Sequence, residues 1–335
     1  MGTNTATAVS RPESRRRFLM ALLMIGISLG SAFLLAEVSL RVLFARELAV
    51  VTDERNLLYR YDTRLGWFPV AGSSNQFVGT RRITVVNNRQ GFRAAADYAP
   101  SAKPGLVFLG DSYVWGYDVE VGERFTDKLQ ARHPDWSIYN FGVSGYGTDQ
   151  EYLLLRDEFD IYHPQVVFLM YEQGTDGEDN STNQRWGYYK PYFVQTRSGL
   201  ELRGIPVPRS DRFFFARHRW LCKPLVVRLL VLGWFKWTSP PVVNNQPNPT
   251  GAIIRELASY VRSKGATLLV GLTRADPNVQ KVLEKLHIPY TDLSTELRYG
   301  GMGYHWSVEG HTFVADKLER FLAEGKYLPS GASLR

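Results

Sequence analysis

Hydrophobic and polar residues alternate along this chain in blocks that predict strands followed by helices. Short apolar runs bounded by turn residues predict buried strands, because the strands of a parallel sheet are covered on both faces. The predicted strands are residues 106–109, 136–139, 166–171, 267–272 and 289–293. The predicted helices are residues 125–132, a helix opening at 148, 251–264, a helix opening at 277, and 311–322. This alternation predicts an α/β fold, a three-layer α/β/α sandwich with a mostly parallel sheet.

Local capping chemistry marks several helix ends. Thr148-Asp149-Gln150-Glu151 matches a capping box, which satisfies the free N–H groups at a helix start. Asp276-Pro277 places proline at a first helical position, where its missing N–H costs nothing. Gly265 is a suitable residue to end the helix over 251–264.

The N-terminal region carries nineteen residues without a charge, from Phe18 to Ala36. A helix needs about 20 apolar residues to cross a bilayer, so residues 18–44 predict a transmembrane signal-anchor. Arg15-Arg16-Arg17 precedes this run, and the positive-inside rule therefore leaves residues 1–17 in the cytoplasm. Two alternatives stay open: a cleaved signal, since Ser14–Leu19 is similar to a twin-arginine export signal, and a buried core helix.

The remaining chain divides into a β-rich segment, an α/β domain and a C-terminal tail. These predicted parts are residues 45–104, 105–325 and 326–335. Residues 173–250 interrupt the strand–helix alternation and predict an insertion that covers the functional site at the carboxyl ends of the strands. Within it, the apolar and basic residues 213–237 fit either a packed helix pair or a membrane-surface helix. Trp186, Tyr188 and Tyr189 fit either ordinary packing of the insertion or a platform on which a sugar stacks.

Charge and cysteine content exclude several classes of function. The net charge is +7, but residues 1–46 hold six arginines against two acids, so the rest of the chain is only +3. This diffuse charge, without a recognised motif, argues against nucleic acid as a partner. The single cysteine, Cys222, excludes an intrachain disulfide. No His/Cys spacing matches a zinc site, and we predict neither a metal nor a cofactor.

Gly110-Asp111-Ser112 follows the apolar run Leu106–Leu109 and predicts a serine exposed at the end of a buried strand. An α/β protein places a nucleophile at this position, although a serine there also caps helices. His305 precedes the predicted last helix and is a candidate base, whereas His311 fits a packing or capping role. Serine first and histidine last is one of several orders in which acyl-transfer sites are assembled.

Three blocks of this chain together resemble the SGNH hydrolases, the GDSL-type esterase superfamily, in particular its membrane-anchored bacterial members. Gly110-Asp111-Ser112 with Gly116 is similar to the first family block, residues 140–147 to the second, and residues 305–311 to the last. The resemblance spans about residues 60–325 and implies an ester hydrolase or acyl transferase that needs no metal.

The resemblance also implies roles for individual residues. Ser112 would be the nucleophile and His305 its base. The oxyanion hole would take the N–H of Ser112 and that of Gly145 or Gly142. Asp111 and Asp176 would support the site, Asp111 as an acceptor within the turn.

Two positions depart from the family pattern. Thr175 stands where the family has an asparagine that donates to the oxyanion, so Thr175, Gln173 or Asn180 would have to donate. The family acid two or three residues before the histidine is also absent, because Gly303 and Met302 occupy those positions. Asp292 or Glu309 could orient His305 only if the fold brings one of them to it.

These features predict a single-pass protein of the bacterial inner membrane with its catalytic domain on the periplasmic or extracellular side. The expected activity is removal or transfer of a small acyl group on a carbohydrate or cell-envelope polymer, and acetyl is the acyl group we expect. The expected partners are that substrate, the lipid bilayer through residues 18–44, and a membrane acyltransferase as a candidate. The alternatives are a catalytically weak or inactive domain that binds glycan or scaffolds an envelope-modifying complex, and a lipid esterase or thioesterase.

Overall fold

The computed structural model describes residues 11–51, 53–244, 246–301 and 304–327. The chain forms two compact units, one from Met1–Val51 with Phe214–Ser239 and one from Thr52–Phe213 with Pro240–Arg335. The helices are α1 Arg11–Leu43, α2 Glu54–Leu58, α3 Ser112–Trp115, α4 Phe125–Arg132, α5 Thr148–Tyr162, α6 Asp176–Asp179, α7 Asp211–Arg217, α8 Leu225–Thr238, α9 Thr250–Ser263, α10 Pro277–Lys285 and α11 Val308–Glu324. The strands are β1 Tyr59–Asp62, β2 Gly66–Pro69, β3 Ser74–Val78, β4 Arg82–Val86, β5 Gly105–Gly110, β6 Ser137–Gly142, β7 Val166–Tyr171, β8 Gln184–Arg185, β9 Tyr188–Tyr189, β10 Tyr192–Thr196, β11 Gly199–Arg203, β12 Thr267–Leu272 and β13 Tyr290–Asp292.

The first unit consists of α1 packed against α8. The part of α1 from Arg15 to Leu43 is long and apolar enough to span a bilayer, with a mean hydropathy of 2.4 in its most apolar window. Glu37 of α1 accepts a hydrogen bond from the N–H of Val226 at 3.0 Å, which satisfies a free donor at the start of α8. Helix α8 of the 213–237 segment thus packs against α1, a helix outside that segment.

The second unit is built on a five-stranded parallel sheet in the order β13-β12-β7-β5-β6. Helices α5 and α9 pack on one face, and α4 and α11 on the other. This confirms the predicted three-layer sandwich. The chain leaves β5 toward β6 on one side and later continues to β7 on the other. The carboxyl end of β5 is therefore the switch point where α/β proteins place their sites.

The predicted strands and helices lie where the structure has them, although several ends differ, as at α11, which begins at Val308 rather than at 311. The cap of α5 also differs. The helix is capped by Gly147, whose N–H donates to Gln150 Oε1 at 3.4 Å, and not by the Thr148–Glu151 box. The helix therefore begins one residue earlier than a Thr148 cap requires. Thr148 and Glu151 point into the protein interior, and each is 0% exposed.

Candidate active site

Ser112 lies directly after the sheet, in a turn built by its neighbours. Asp111 caps the short helix α3 by accepting the N–H of Tyr113 at 2.9 Å. A side chain at Gly110 would come within 2.3 Å of Val114, so only glycine allows this close approach of strand and helix. Gly116 ends the helix with φ +87°, a conformation that glycine adopts readily. The turn holds Ser112 at the carboxyl end of β5, and the residue is 9% exposed.

The structure brings His305 to Ser112 across 193 positions of sequence. The His305 Nε2 lies 2.7 Å from the Ser112 Oγ, within hydrogen-bond distance for proton transfer. The imidazole stacks on the Tyr117 ring with centroids 4.3 Å apart and an interplanar angle of 20°. A backbone hydrogen bond from the Tyr299 N–H to the His305 carbonyl, 2.9 Å, holds the loop on which the imidazole stands.

Two backbone N–H groups, that of Ser112 in the serine turn and that of Gly145 in the loop after β6, have no acceptor in the described part of the chain. Gly145 belongs to the loop after β6, which is tied to the serine turn because the Val143 N–H donates to the Gly110 carbonyl at 3.0 Å. The Gly142 N–H is different, since it donates to Asn140 Oδ1 at 3.0 Å. Of the two glycines predicted for the oxyanion hole, Gly145 is the one whose N–H group has no acceptor in the described part of the chain.

Thr175 and its predicted substitutes have different surroundings. The Thr175 Oγ1 is buried and has no hydrogen-bond partner among the described residues. The Asn180 side chain instead joins two helices, donating to Thr250 Oγ1 at 2.7 Å and accepting the Asp149 N–H at 3.1 Å. Gln173 is exposed. The hydroxyl of Thr175 is thus a buried side-chain donor of this block without a partner among the described residues, whereas Gln173 faces solvent.

The acids considered as orienters of His305 are occupied elsewhere. Asp292 is exposed and accepts the N–H of Ser294 at 2.9 Å. Glu309 is exposed in the first turn of α11 and accepts the hydroxyl of Ser307 at 2.8 Å. Met302 and Gly303, where the family acid is missing, lie outside the described residues.

Buried carboxyl groups form a cluster behind the serine turn. Burial, followed by the charge of Glu172, raises the pKa of Asp111 to about 7. Burial and mutual repulsion also raise the pKa of Glu151 and that of Asp176 well above the ordinary range. Asp176 accepts the Glu172 N–H at 2.9 Å and so holds the backbone after β7. In the described part of the chain, no three His, Cys, Asp or Glu side chains are placed to hold a metal ion.

A cleft of about 520 Å³ opens beside Tyr304, the neighbour of His305 in sequence. Its lining is polar and aromatic, with residues Arg274, Ser294, Thr295, Glu296, Arg298, Tyr299, Gly300 and Tyr304. Arg298 is fixed within the wall, where it donates to the Thr273 carbonyl at 3.0 Å and to the Tyr113 hydroxyl. Such a cleft suits a polar ligand.

The aromatic residues of the insertion separate into two groups. Tyr188 and Tyr189 are buried, and their hydroxyls donate to Asp53 Oδ1 and to the Pro240 carbonyl, each at 2.8 Å. These two residues therefore pack within the protein. Trp186 is 45% exposed and covers the guanidinium of Arg55, a buried residue beside Gly145 that the sequence pattern did not single out.

Comparison with known proteins gives structural similarities at low identity. No protein-family model and no curated protein sequence matches the chain. A member of the lipolytic protein G-D-S-L family from Veillonella parvula is similar at 13% identity and a TM-score of 0.33, over 64% of this chain and 96% of that one. The psychrotrophic esterase EstA from Pseudoalteromonas sp. is similar at 10% identity and a TM-score of 0.40, over 67% and 99% of the two chains. Est24, a carbohydrate acetylesterase from Sinorhizobium meliloti, is similar at 12% identity and a TM-score of 0.38, over 66% and 99%.

Proposed function

We propose that this chain is a membrane-anchored serine esterase or acyltransferase of the SGNH type. The observation that supports it is the 2.7 Å contact between Ser112 Oγ and His305 Nε2 at the switch point of a parallel sheet. A serine hydroxyl attacks an ester slowly until an imidazole removes its proton. The free N–H groups of Ser112 and Gly145 add donors for the oxygen that becomes charged.

The proposed reaction has two half-reactions. Ser112 Oγ attacks the acyl carbon, its proton passes to His305 Nε2, and the carbonyl electron pair moves onto the oxygen. The tetrahedral intermediate collapses, the C–O bond to the alcohol breaks, and the alcohol oxygen takes the proton from His305. Water or an acceptor hydroxyl then gives its proton to His305 and attacks the acyl carbon. The bond from that carbon to Ser112 Oγ breaks, and Ser112 Oγ takes the proton back from His305. Hydrolysis and transfer differ only in this second nucleophile.

The surroundings favour a polar substrate with a short acyl group. The cleft beside Tyr304 presents hydroxyl, carboxyl and guanidinium groups, and its exposed tyrosine offers a surface for a sugar ring. A long alkyl chain would have to lie against these charged groups and remove water from them, which costs free energy. We therefore propose an acetylated carbohydrate or envelope polymer as the substrate, in preference to a lipid.

The membrane attachment is part of the same proposal. Helix α1 would span the inner membrane, with Arg15 to Arg17 on the cytoplasmic side and the sheet domain outside. Helix α8 presents large apolar side chains that are exposed in the protein, among them Leu230 at 68% and Trp237 at 81%. Since α8 packs on α1, we propose that this face of α8 lies in the lipid interface, where tryptophan is enriched. A membrane acyltransferase would then be a suitably located acyl donor.

Turnover of p-nitrophenyl acetate by the full chain in nanodiscs tests the activity. Ser112→Ala and His305→Ala should each lower kcat by at least about 10³-fold, with unchanged melting temperatures. Acetylated oligosaccharides then test the substrate class against p-nitrophenyl palmitate. If the folded wild-type protein equals Ser112→Ala on all of these esters, and on an acyl-donor and glycan-acceptor pair, the chain is a non-catalytic binding domain.

A further inference from the structure

Arg55 is a buried arginine whose guanidinium has no hydrogen-bond or ion-pair partner within the described residues. The residue is 6% exposed, and its Nε is buried without an acceptor. Its position is fixed by the short helix α2, which Asp53 caps by accepting the Arg55 N–H at 3.0 Å. The guanidinium carbon lies 3.6 Å from the ring centre of Trp186 and 5.6 Å from that of Trp67.

Two other buried arginines of this protein use their terminal nitrogens as donors, although the Nε of Arg93 also lacks a partner among the described residues. Arg93 donates to three backbone carbonyls, including that of Trp115 at 3.0 Å. Arg124 donates to both carboxylate oxygens of Asp127. Removing a guanidinium from water without hydrogen bonds is costly, and stacking on tryptophan offsets only part of that cost. The free donors of Arg55 indicate that they serve a ligand.

The guanidinium of Arg55 lies against the loop after β6, which carries Gly145. A Cβ placed on Gly145 would be 2.3 Å from Arg55 Nη2 and 2.5 Å from the Trp186 ring, so both groups lie directly against this glycine. The Gly145 N–H is one of the two free backbone donors. Arg55 also lies close to Tyr117, which stacks on His305: burial raises the pKa of the Tyr117 phenol, Glu54 raises it further, and the charge of Arg55 lowers it.

Glu54 precedes Arg55, and its carboxylate accepts the hydroxyl of Tyr59 at 3.4 Å. Burial raises the pKa of Glu54, and the positive charge of Arg55 lowers it. The Arg55 guanidinium makes no salt bridge among the described residues, and its Nη2 lies directly against Gly145.

We propose that Arg55 is the anion-binding group of this site and donates to the oxyanion that forms when Ser112 attacks. This inference rests on the proposed function and adds a residue from outside the three family blocks. Arg55 adds side-chain hydrogen bonds to the oxyanion, together with a full positive charge. The charge and the N–H donors of Arg55 suit both the oxyanion formed from a small acyl group and the carboxylate that hydrolysis produces.

Chemical rescue separates this role from a structural one. Arg55→Ala should lower kcat for p-nitrophenyl acetate about 10²-fold with KM within about threefold, as for loss of an oxyanion donor. Methylguanidinium in the assay should raise the kcat of Arg55→Ala at least tenfold. Arg55→Lys should have a kcat between those of wild type and Arg55→Ala. Arg60→Ala is the matched control, because Arg60 belongs to the same segment and lies over Phe68 but is exposed. It should keep wild-type kcat.

Acetate binding by calorimetry gives a readout that does not need turnover. We expect Arg55→Ala to weaken acetate at least about tenfold and Arg60→Ala to leave its affinity unchanged. If acetate binds through Arg55 but no ester is turned over, the proposed function fails and the anion site stands. If Ser112 and His305 are essential while Arg55→Ala retains kcat, or loses kcat without rescue and with unchanged acetate affinity, the role of Arg55 is refuted. Absence of acetate binding to the wild type refutes it as well.

Discussion

The ring of Tyr117 lies nearly parallel to the imidazole of His305, with 4.3 Å between their centres. Tyr117 is 6% exposed and belongs to the loop after α3. Its ring therefore packs the segment that follows Ser112 directly against His305. This contact limits the rotation of the imidazole. It is a direct constraint on the base in a site whose acids Asp292 and Glu309 are turned elsewhere.

Tyr117 therefore gives the first prediction. Tyr117→Phe keeps the stacked ring, and we expect kcat within threefold of wild type. Tyr117→Ala removes the ring that stacks on His305. We expect kcat/KM to fall about 10²-fold, because a small displacement of a catalytic group lowers the rate strongly. Steady-state kinetics across pH 5–9 checks this. Equal losses for both variants would show that the hydroxyl, and not the stacked ring, matters.

Thr175 gives the second prediction. Its buried hydroxyl has no partner among the described residues, so Thr175→Val should not lower the melting temperature. We expect kcat to fall about tenfold, because the hydroxyl donates to the oxyanion with a shorter reach than an amide. Thr175→Ser, which keeps the donor, is the control and should stay within threefold. An unchanged kcat in Thr175→Val would remove Thr175 from the oxyanion hole.

Stability against pH gives the third prediction, through Glu151. Burial, with repulsion from nearby carboxylates, raises its pKa in the folded protein. The folded state therefore binds this proton more tightly than the unfolded chain. The resulting stability is fully present below the ordinary pKa of about 4.3 and is lost as pH rises through the raised value.

Glu151→Gln keeps the shape and removes the charge, so it should reduce the loss of stability from pH 5 to pH 8. We expect its melting temperature at pH 8 to exceed that of wild type by at least about 2 °C. Glu256→Gln, an exposed change on α9, should match wild type throughout. Calorimetric melting curves decide the matter, and identical slopes for wild type and Glu151→Gln would contradict the role of Glu151.

The membrane placement gives the fourth prediction. The chain has one cysteine, the buried Cys222, so a Cys222→Ala background allows single-cysteine labelling. In intact cells, a membrane-impermeant maleimide should label Ser198→Cys on the domain proposed to be exported and should label Leu230→Cys on α8 only after detergent is added. Labelling of Leu230→Cys at the rate of Ser198→Cys would place α8 in water. Protection of Ser198→Cys in cells, with labelling after lysis, would reverse the proposed sidedness.

The strand and helix pattern could be predicted because a parallel sheet covered on both faces demands apolar runs such as Val166–Tyr171. Ser112 and His305 could be named as candidates because a serine in a turn after a strand and a histidine before the last helix have local signals. The α5 cap was wrong by one residue, since glycine caps through its backbone and leaves no side-chain signal. Arg55 could not be predicted: its role depends on Trp186 and Gly145, which are distant in sequence and meet only in the fold.

The proposed catalytic groups are spread along the chain at Arg55, Ser112, Gly145 and His305. The proposed base lies 193 positions after the proposed nucleophile, so a chain that stops before residue 305 would hold Ser112 without its base. The site thus forms only when four separate parts of the chain fold together, and no single segment of the sequence would carry the proposed activity.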